Sequence, residues 1–160
     1  AAIRLEAERL RTAGVLTSGQ AGVLDIAALH GFWGSEVGQT IRSRAALVKR
    51  ELEFTARFAT GELDELTGKE VETPSHSLVA DDFVVVQGVV DLAVLLPGEI
   101  WLLDFKTDAV SGNGIEDKVE KYSIQLRLYA RALSGIHGRP VTKCWLHFLA
   151  AGRTEDVDVS

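Results

Sequence analysis

Apolar and polar positions along this chain follow two different periods, and the changes between them divide it into elements. Residues 3–12 carry Ile3, Leu5 and Leu10 on one side of a charged segment, which predicts a helix ended by Gly14. Thr17-Ser18 offers an N-cap, and Val23, Leu24, Ala27 and Ala28 follow at helical spacing, so a second helix is expected to about Leu29. Gly31 and Gly34 should interrupt it, and Ser35 should cap a short helix through Ile41. From Leu47 to Phe58 the period drops to two. Leu52, Phe54, Ala56 and Phe58 alternate with Glu51, Glu53, Thr55 and Arg57, as in a half-buried strand. Residues 60–81 are polar, with Gly61, Gly68 and Pro74, and read as an irregular connection with room for strand extensions.

Two apolar runs follow, Phe83–Leu96 and Ile100–Phe105, on either side of Pro97-Gly98. Their Val, Leu and Ile content fits strands buried on both faces. A loop at 111–114 leads into a helix from about Glu116 to Leu133, ended by Ser134-Gly135. Val141 to Leu149 reads as a strand, and a short last strand is expected near Val157–Val159. Helices, three strands, a helix and a strand in that order describe an α/β domain with a mixed central sheet.

Composition narrows the class. The chain has 160 residues, enough for one domain with a real core, and 46% are hydrophobic, too many for a disordered chain. No window approaches a membrane-spanning apolar run, and no signal-peptide pattern opens the sequence. Cys144 stands alone, so neither an internal disulfide nor a cysteine zinc site is available, and a reducing, cytoplasmic setting is compatible. The net charge of −6 excludes binding to nucleic acid by bulk electrostatics alone. The absence of methionine, even at position 1, is expected of a segment cut from a longer protein.

The chemistry concentrates between Gly88 and Asp108. A hairpin symmetric about Pro97-Gly98 sets Asp91 opposite Asp104 and Val89 opposite Lys106. Period two then puts Asp91, Asp104 and Lys106 on one face with Val89, Ala93, Leu95, Ile100 and Leu102. Val90, Leu92, Val94, Trp101, Leu103 and Phe105 take the other. Opposed carboxylates lie roughly 5 Å apart at Cβ, so one must protonate or a cation must bridge them. Hard oxygen donors suit Mg2+ or Mn2+, and a lysine beside them can orient a bound water or offset charge on a phosphate. A plain salt bridge is the competing explanation. Both acids interrupt strands that are otherwise apolar on both faces, a placement that costs free energy without compensation.

On the following helix Tyr122, Gln125 and Tyr129 share one stripe at spacings of three and four, able to meet a phosphate or orient an acid. An ordinary amphipathic face accounts for them equally well. Arg127 and Arg131 add either phosphate contacts or solvated charge.

Taken together, Gly88-x-x-Asp91, Asp104-x-Lys106 and Gln125-x-x-x-Tyr129 resemble the RecB-like branch of the PD-(D/E)xK nucleases, in particular the nuclease domains of AddA-type helicase–nuclease subunits. Lys49-Arg50-Glu51-Leu52-Glu53-Phe54 resembles the strand before the hairpin there, and Gly14-Val15-Leu16-Thr17 the approach to a helix. The resemblance implies a restriction-endonuclease-like core forming a single nuclease domain over residues 1–160, part of a larger helicase–nuclease chain. It implies a Mg2+- or Mn2+-dependent deoxyribonuclease acting in double-strand-break repair. Asp91, Asp104 and the Phe105 backbone carbonyl would be metal ligands, Lys106 the catalytic lysine, Gln125 and Tyr129 an accessory motif, and Glu51 a supporting acid. Tyr122, Arg127 and Arg131 would be DNA contacts. DNA, helicase domains of the same chain and a second helicase–nuclease subunit are the implied partners, with no membrane. No cysteine set for an iron–sulfur cluster is present. The family's G-x-x-x-H histidine has no match: His30, His76, His137 and His147 all stand in other contexts. It is expected upstream of Ala1. A catalytically silent DNA-binding or scaffolding module of the same fold is the alternative, and a stand-alone nuclease of the same superfamily is a third.

Overall fold

A computed structural model describes residues 2–68, 83–108 and 114–159. Five strands, β1 (Val48–Ala59), β2 (Phe83–Leu95), β3 (Ile100–Lys106), β4 (Val141–Phe148) and β5 (Arg153–Asp156), form one sheet in chain order. Three contacts are antiparallel, and β3–β4 is parallel. That parallel step needs a crossover, supplied by the helix α6 (Gly114–His137). Helices α1 (Ala2–Thr12), α2 (Ser18–Gly22), α3 (Ile26–Gly34) and α4 (Glu36–Arg42) precede the sheet, and α5 (Thr60–Thr67) follows β1. The mixed sheet flanked by helices is the expected α/β, restriction-endonuclease-like architecture.

The two faces of β3 generate the two cores. Ile100 and Leu102 pack under α6 with Leu126, Leu133 and Phe148. Trp101 and Leu103 pack with Phe32 of α3 and Ile41 of α4. Leu102 and Leu103 are both fully buried, and each contributes about 2 kcal/mol from apolar burial. No helix among the described residues is long and apolar enough to cross a membrane.

Several boundaries differ from the sequence expectation. The helix expected to run from Ser18 to Leu29 is two helices, because the Asp25 carboxylate accepts from Ala28 N–H (2.9 Å) and starts α3 afresh. Gly31 does not interrupt α3, whose packing outweighs about 1 kcal/mol of glycine propensity, whereas the helix does end at Gly34 as expected. Ser35 caps α4 as expected, its hydroxyl accepting from Gly38 N–H. Part of the connection after β1 is helical: α5 buries Leu63 and ends on Gly68 at φ +64°. Residues 69–82, with Pro74 and His76, and residues 111–113 of the expected loop lie outside the described residues. Ser134-Gly135 does not end α6, which reaches His137 before Gly138 turns at φ +62°. The last strand is Arg153–Asp156, not Val157–Val159. Trp145 to Phe148 of β4 pair with Arg153 to Asp156, and beyond them Val157 N–H donates to Cys144 O and its side chain enters the core.

The most consequential difference lies in the middle of β1 and β2. Leu52 pairs with Val90 and Arg50 with Leu92, but Glu51 and Asp91 between them form no ladder pair. Glu51 has φ +48°, the one positive value outside glycine among the described residues. The side-chain alternation skips a step there. Leu92 and Val94 face α3 and α4, yet Val90 is fully buried under α6. Val89, expected beside the acids, is instead on the outer face and 42% exposed. A left-handed residue turns the chain by more than a pleat allows, which is how the faces exchange.

Glu51→Gly should therefore keep the fold, since glycine adopts this conformation freely, whereas Glu51→Val should lose about 1–3 kcal/mol in urea denaturation. Equal stability of the two variants contradicts a left-handed residue 51.

Candidate active site

The β2–β3 hairpin has the expected register, Leu92 with Leu103 through Leu95 with Ile100, closed by Leu96 N–H donating to Glu99 O (3.0 Å). The ladder stops one step short of the two acids. Beyond it β2 follows β1 and β3 follows β4, so the strands part. Into the opening Asp91 sends its carboxylate, and Oδ2 accepts from Phe105 N–H at 2.7 Å. A side chain here takes the amide that a ladder carbonyl otherwise takes. Lys106 O accepts from Leu149 N–H on the β4 side. Backbone groups alternate sides along a strand, so the Phe105 carbonyl, like its N–H, is turned toward Asp91.

Asp104 and Lys106 follow Leu102 on the α6 side of β3. Lys106 Nζ stands 2.7 Å from Asp104 Oδ2, both side chains largely buried at 15% and 5% exposure. The contact is a buried ion pair, and the ammonium is the one donor close to Oδ2 among the described residues. Burial pushes the Asp104 carboxyl up, Lys106 pulls it back, and the charge of Asp91 adds to the rise.

The stripe on α6 converges on the same lysine. Lys106 Nζ donates to Gln125 Oε1 (3.2 Å), and Gln125 Nε2 donates to the Tyr129 hydroxyl (2.6 Å). Nζ also lies 4.1 Å over the Tyr122 ring. The Tyr122 hydroxyl donates to Asp108 Oδ2 (2.7 Å), and Lys118 Nζ to Oδ1 (2.9 Å). Lys118, by its hydrogen bond, and then Tyr122 hold the Asp108 carboxyl below its usual range. Sequence reasoning missed Asp108 and Lys118. Both were within reach: Asp108 continues the period of two from Asp104 and Lys106, and Lys118 extends the helical stripe by one turn.

Gly88 sets the depth of this wall. A Cβ there would lie 2.8 Å from the Phe54 ring and 2.9 Å from that of Tyr129. Phe54 and Tyr129 themselves meet edge to face at 5.1 Å. Gly88 thus admits the ring whose hydroxyl fixes Gln125. His147, on the other face, packs against Phe32 and Phe105, accepts or donates at Thr154 through Nδ1, and leaves Nε2 buried without a partner. Burial lowers its pKa.

The other candidates are placed apart from this group. Glu51 is exposed and unpaired in the ladder. Arg127 and Arg131 each sit two residues beyond a member of the stripe, about 200° around the helix. Arg127 donates to Asp158 O (3.3 Å), and Arg131 is an ion-pair partner of Glu62.

Two neighbouring carboxylates beside a backbone carbonyl are the hard oxygen donors that fit a divalent cation that keeps several waters. Among the described residues no group of three or more His, Cys, Asp or Glu side chains gathers for a metal, so backbone and water would have to complete the shell.

The parting hairpin thus presents Asp91, Asp104 and Lys106 beneath the Gln125–Tyr129 helix, and family comparison gives the class of the domain. The model of the PD-(D/E)XK nuclease superfamily matches residues 13–157, and the chain belongs to that superfamily, whose members generally use divalent metals. It is similar to an ATP-dependent helicase/nuclease subunit of Listeria monocytogenes serotype 4b (strain F2365), 32% identical over 88% of this chain and 11% of that protein. The like-named subunit of Natranaerobius thermophilus is 31% identical over 90% and 12%, and that of Carboxydothermus hydrogenoformans 30% over 92% and 12%. The chain thus spans about a tenth of the length of the curated relatives it matches.

Gly88→Ala should displace the Phe54 or Tyr129 ring and cost about 1–3 kcal/mol in thermal or urea unfolding. Full stability contradicts the packing role.

Proposed function

We propose that this chain is the nuclease module of an ATP-dependent helicase–nuclease, a Mg2+- or Mn2+-dependent deoxyribonuclease that hydrolyses phosphodiester bonds in double-strand-break repair and recombination. The observation that carries the reading is the buried Asp104 carboxylate, paired with Lys106 at 2.7 Å, next to Asp91 where the strands part. Asp91, Asp104 and the Phe105 carbonyl would hold the cation. When bound, it supplies positive charge for the phosphate and a water of lowered pKa.

The chain's own residues then have distinct tasks. Phe105 N–H fixes one oxygen of Asp91 and so orients the other. Asp104 anchors Lys106, and Gln125 with the Tyr122 ring holds the ammonium from the helix side. A charge so fixed stabilises negative charge developing on a phosphate without reorganising, or orients an attacking water. Tyr129 positions Gln125. Glu51 acts as a supporting residue through the break it makes in β1. Arg127 and Arg131 offer outlying charge to DNA. The helicase domains of the parent protein and a second subunit deliver the strand, in the cytoplasm, and this offsets the −6 charge of the module.

One observation favours a second reading. The described residues offer the site only two acidic side chains and no third, as a catalytically silent DNA-binding or scaffolding module of the same fold would.

Asp104→Asn and Lys106→Ala in the intact parent protein should each lower DNA cleavage by at least about 10²-fold, with helicase activity and the folded state retained. Gln125→Ala should lower it less, by about tenfold. Undiminished cleavage by either of the first two variants contradicts the assignment.

A further inference from the structure

On the opposite layer of the molecule from α6, where α1, α3 and α4 meet the start of β1, lies a pocket of about 430 Å³. His30 and Trp33 of α3, Arg42 at the end of α4 and Arg50 of β1 line it with Ile3, and no acid does. In a chain of net charge −6 this is an unusual concentration of cationic donors. Some basic side chains elsewhere are paired with acids, among them Arg9, Arg11, Lys118, Arg131 and Arg153. Arg42 and Arg50 form neither an ion pair nor a hydrogen bond among the described residues, and both are exposed. Trp33 is half-buried, braced edge to face on Phe32 at 5.0 Å, so its ring is held in place without being covered.

Free guanidinium groups beside a braced, partly open indole are the donor set that takes a phosphate backbone and an unpaired base together. A duplex hides its base faces, so the indole selects a single strand. The location suits this ligand. Arg50 pairs with Leu92, the neighbour of Asp91, so the pocket and the acids flank the same break in the sheet from opposite faces, and a strand that joins them passes around the β1 edge.

We propose that this pocket is a second nucleic-acid site, in which Arg42 and Arg50 hold a backbone phosphate of single-stranded DNA and Trp33 stacks on a base a few nucleotides from the scissile bond. The proposal rests on the nuclease reading but uses none of its catalytic residues. Arg42 and Arg50 are surface groups, so their removal leaves the core intact.

The test is anisotropy of a dye-labelled oligothymidylate with this chain, in chelator so that no cleavage intervenes, over a range of salt. Arg42→Ala/Arg50→Ala should bind about tenfold more weakly, and its log–log salt slope should shrink by about 0.7, the contribution of one single-strand phosphate contact. Trp33→Phe should retain binding that Trp33→Ala loses, with unfolding curves checking that the latter folds. Unchanged affinity and slope in the double arginine variant overturn the site and leave the cleavage reading standing. Competition by thymidine monophosphate as strong as by the oligomer overturns the strand in favour of a lone nucleotide. A wild-type chain that binds no oligothymidylate overturns the site and leaves the cleavage reading to the variants of the intact parent protein.

Discussion

The structure turns on one buried ion pair at a place where the sheet comes apart. Asp104 and Lys106 stand two residues apart on β3, largely shielded from water, with Nζ 2.7 Å from Oδ2. Desolvating two charges costs several kcal/mol, a penalty that can exceed the attraction between them. The fold carries this cost at the point where β2 leaves β3, and the surroundings are arranged to sustain it. Gln125, Tyr122 and Tyr129 hold the lysine from one side, and Asp91 caps the orphaned amide of Phe105 on the other. The carboxyl of Asp104 is pushed up by burial and by Asp91. A cation between the acids would relieve both effects.

The break is built rather than accidental. If β1 and β2 continued their alternation through Glu51 and Asp91, Val90 would turn toward α3 and leave the core under α6. The left-handed Glu51 exchanges the faces of both strands at once. It keeps Val90 and Leu92 buried on opposite sides and frees the intervening Asp91 from the ladder. Gly88, three residues earlier, lets the Phe54 and Tyr129 rings close over the widened space.

Much of this was legible in the amino-acid sequence. The turn at Pro97-Gly98 set the hairpin register pair by pair, and helical spacing gathered Tyr122, Gln125 and Tyr129. Period two placed Asp104 and Lys106 together. The same rule misplaced Val89 and Val90, because nothing in Glu51 announces a left-handed backbone: glycine or asparagine would have. Helix ends were misread where side chains decide them, at Asp25, or where packing overrides glycine, at Gly31 and Gly135. The pocket around Trp33, Arg42 and Arg50 joins residues from three elements and has no linear signature. The charge of −6, which argued against nucleic acid, hides a local basic pocket on one layer and acids that can serve a cation on the other.

The central claim, that Asp91 and Asp104 form a hard divalent-cation site, is tested most directly by titrating Mn2+ into the folded chain. Electron paramagnetic resonance of the free ion then reports binding without any need for catalysis. The account predicts one saturable site that Asp104→Asn weakens at least tenfold, with Mg2+ competing for it. Absence of binding, or binding that Asp104→Asn leaves unchanged, would contradict it.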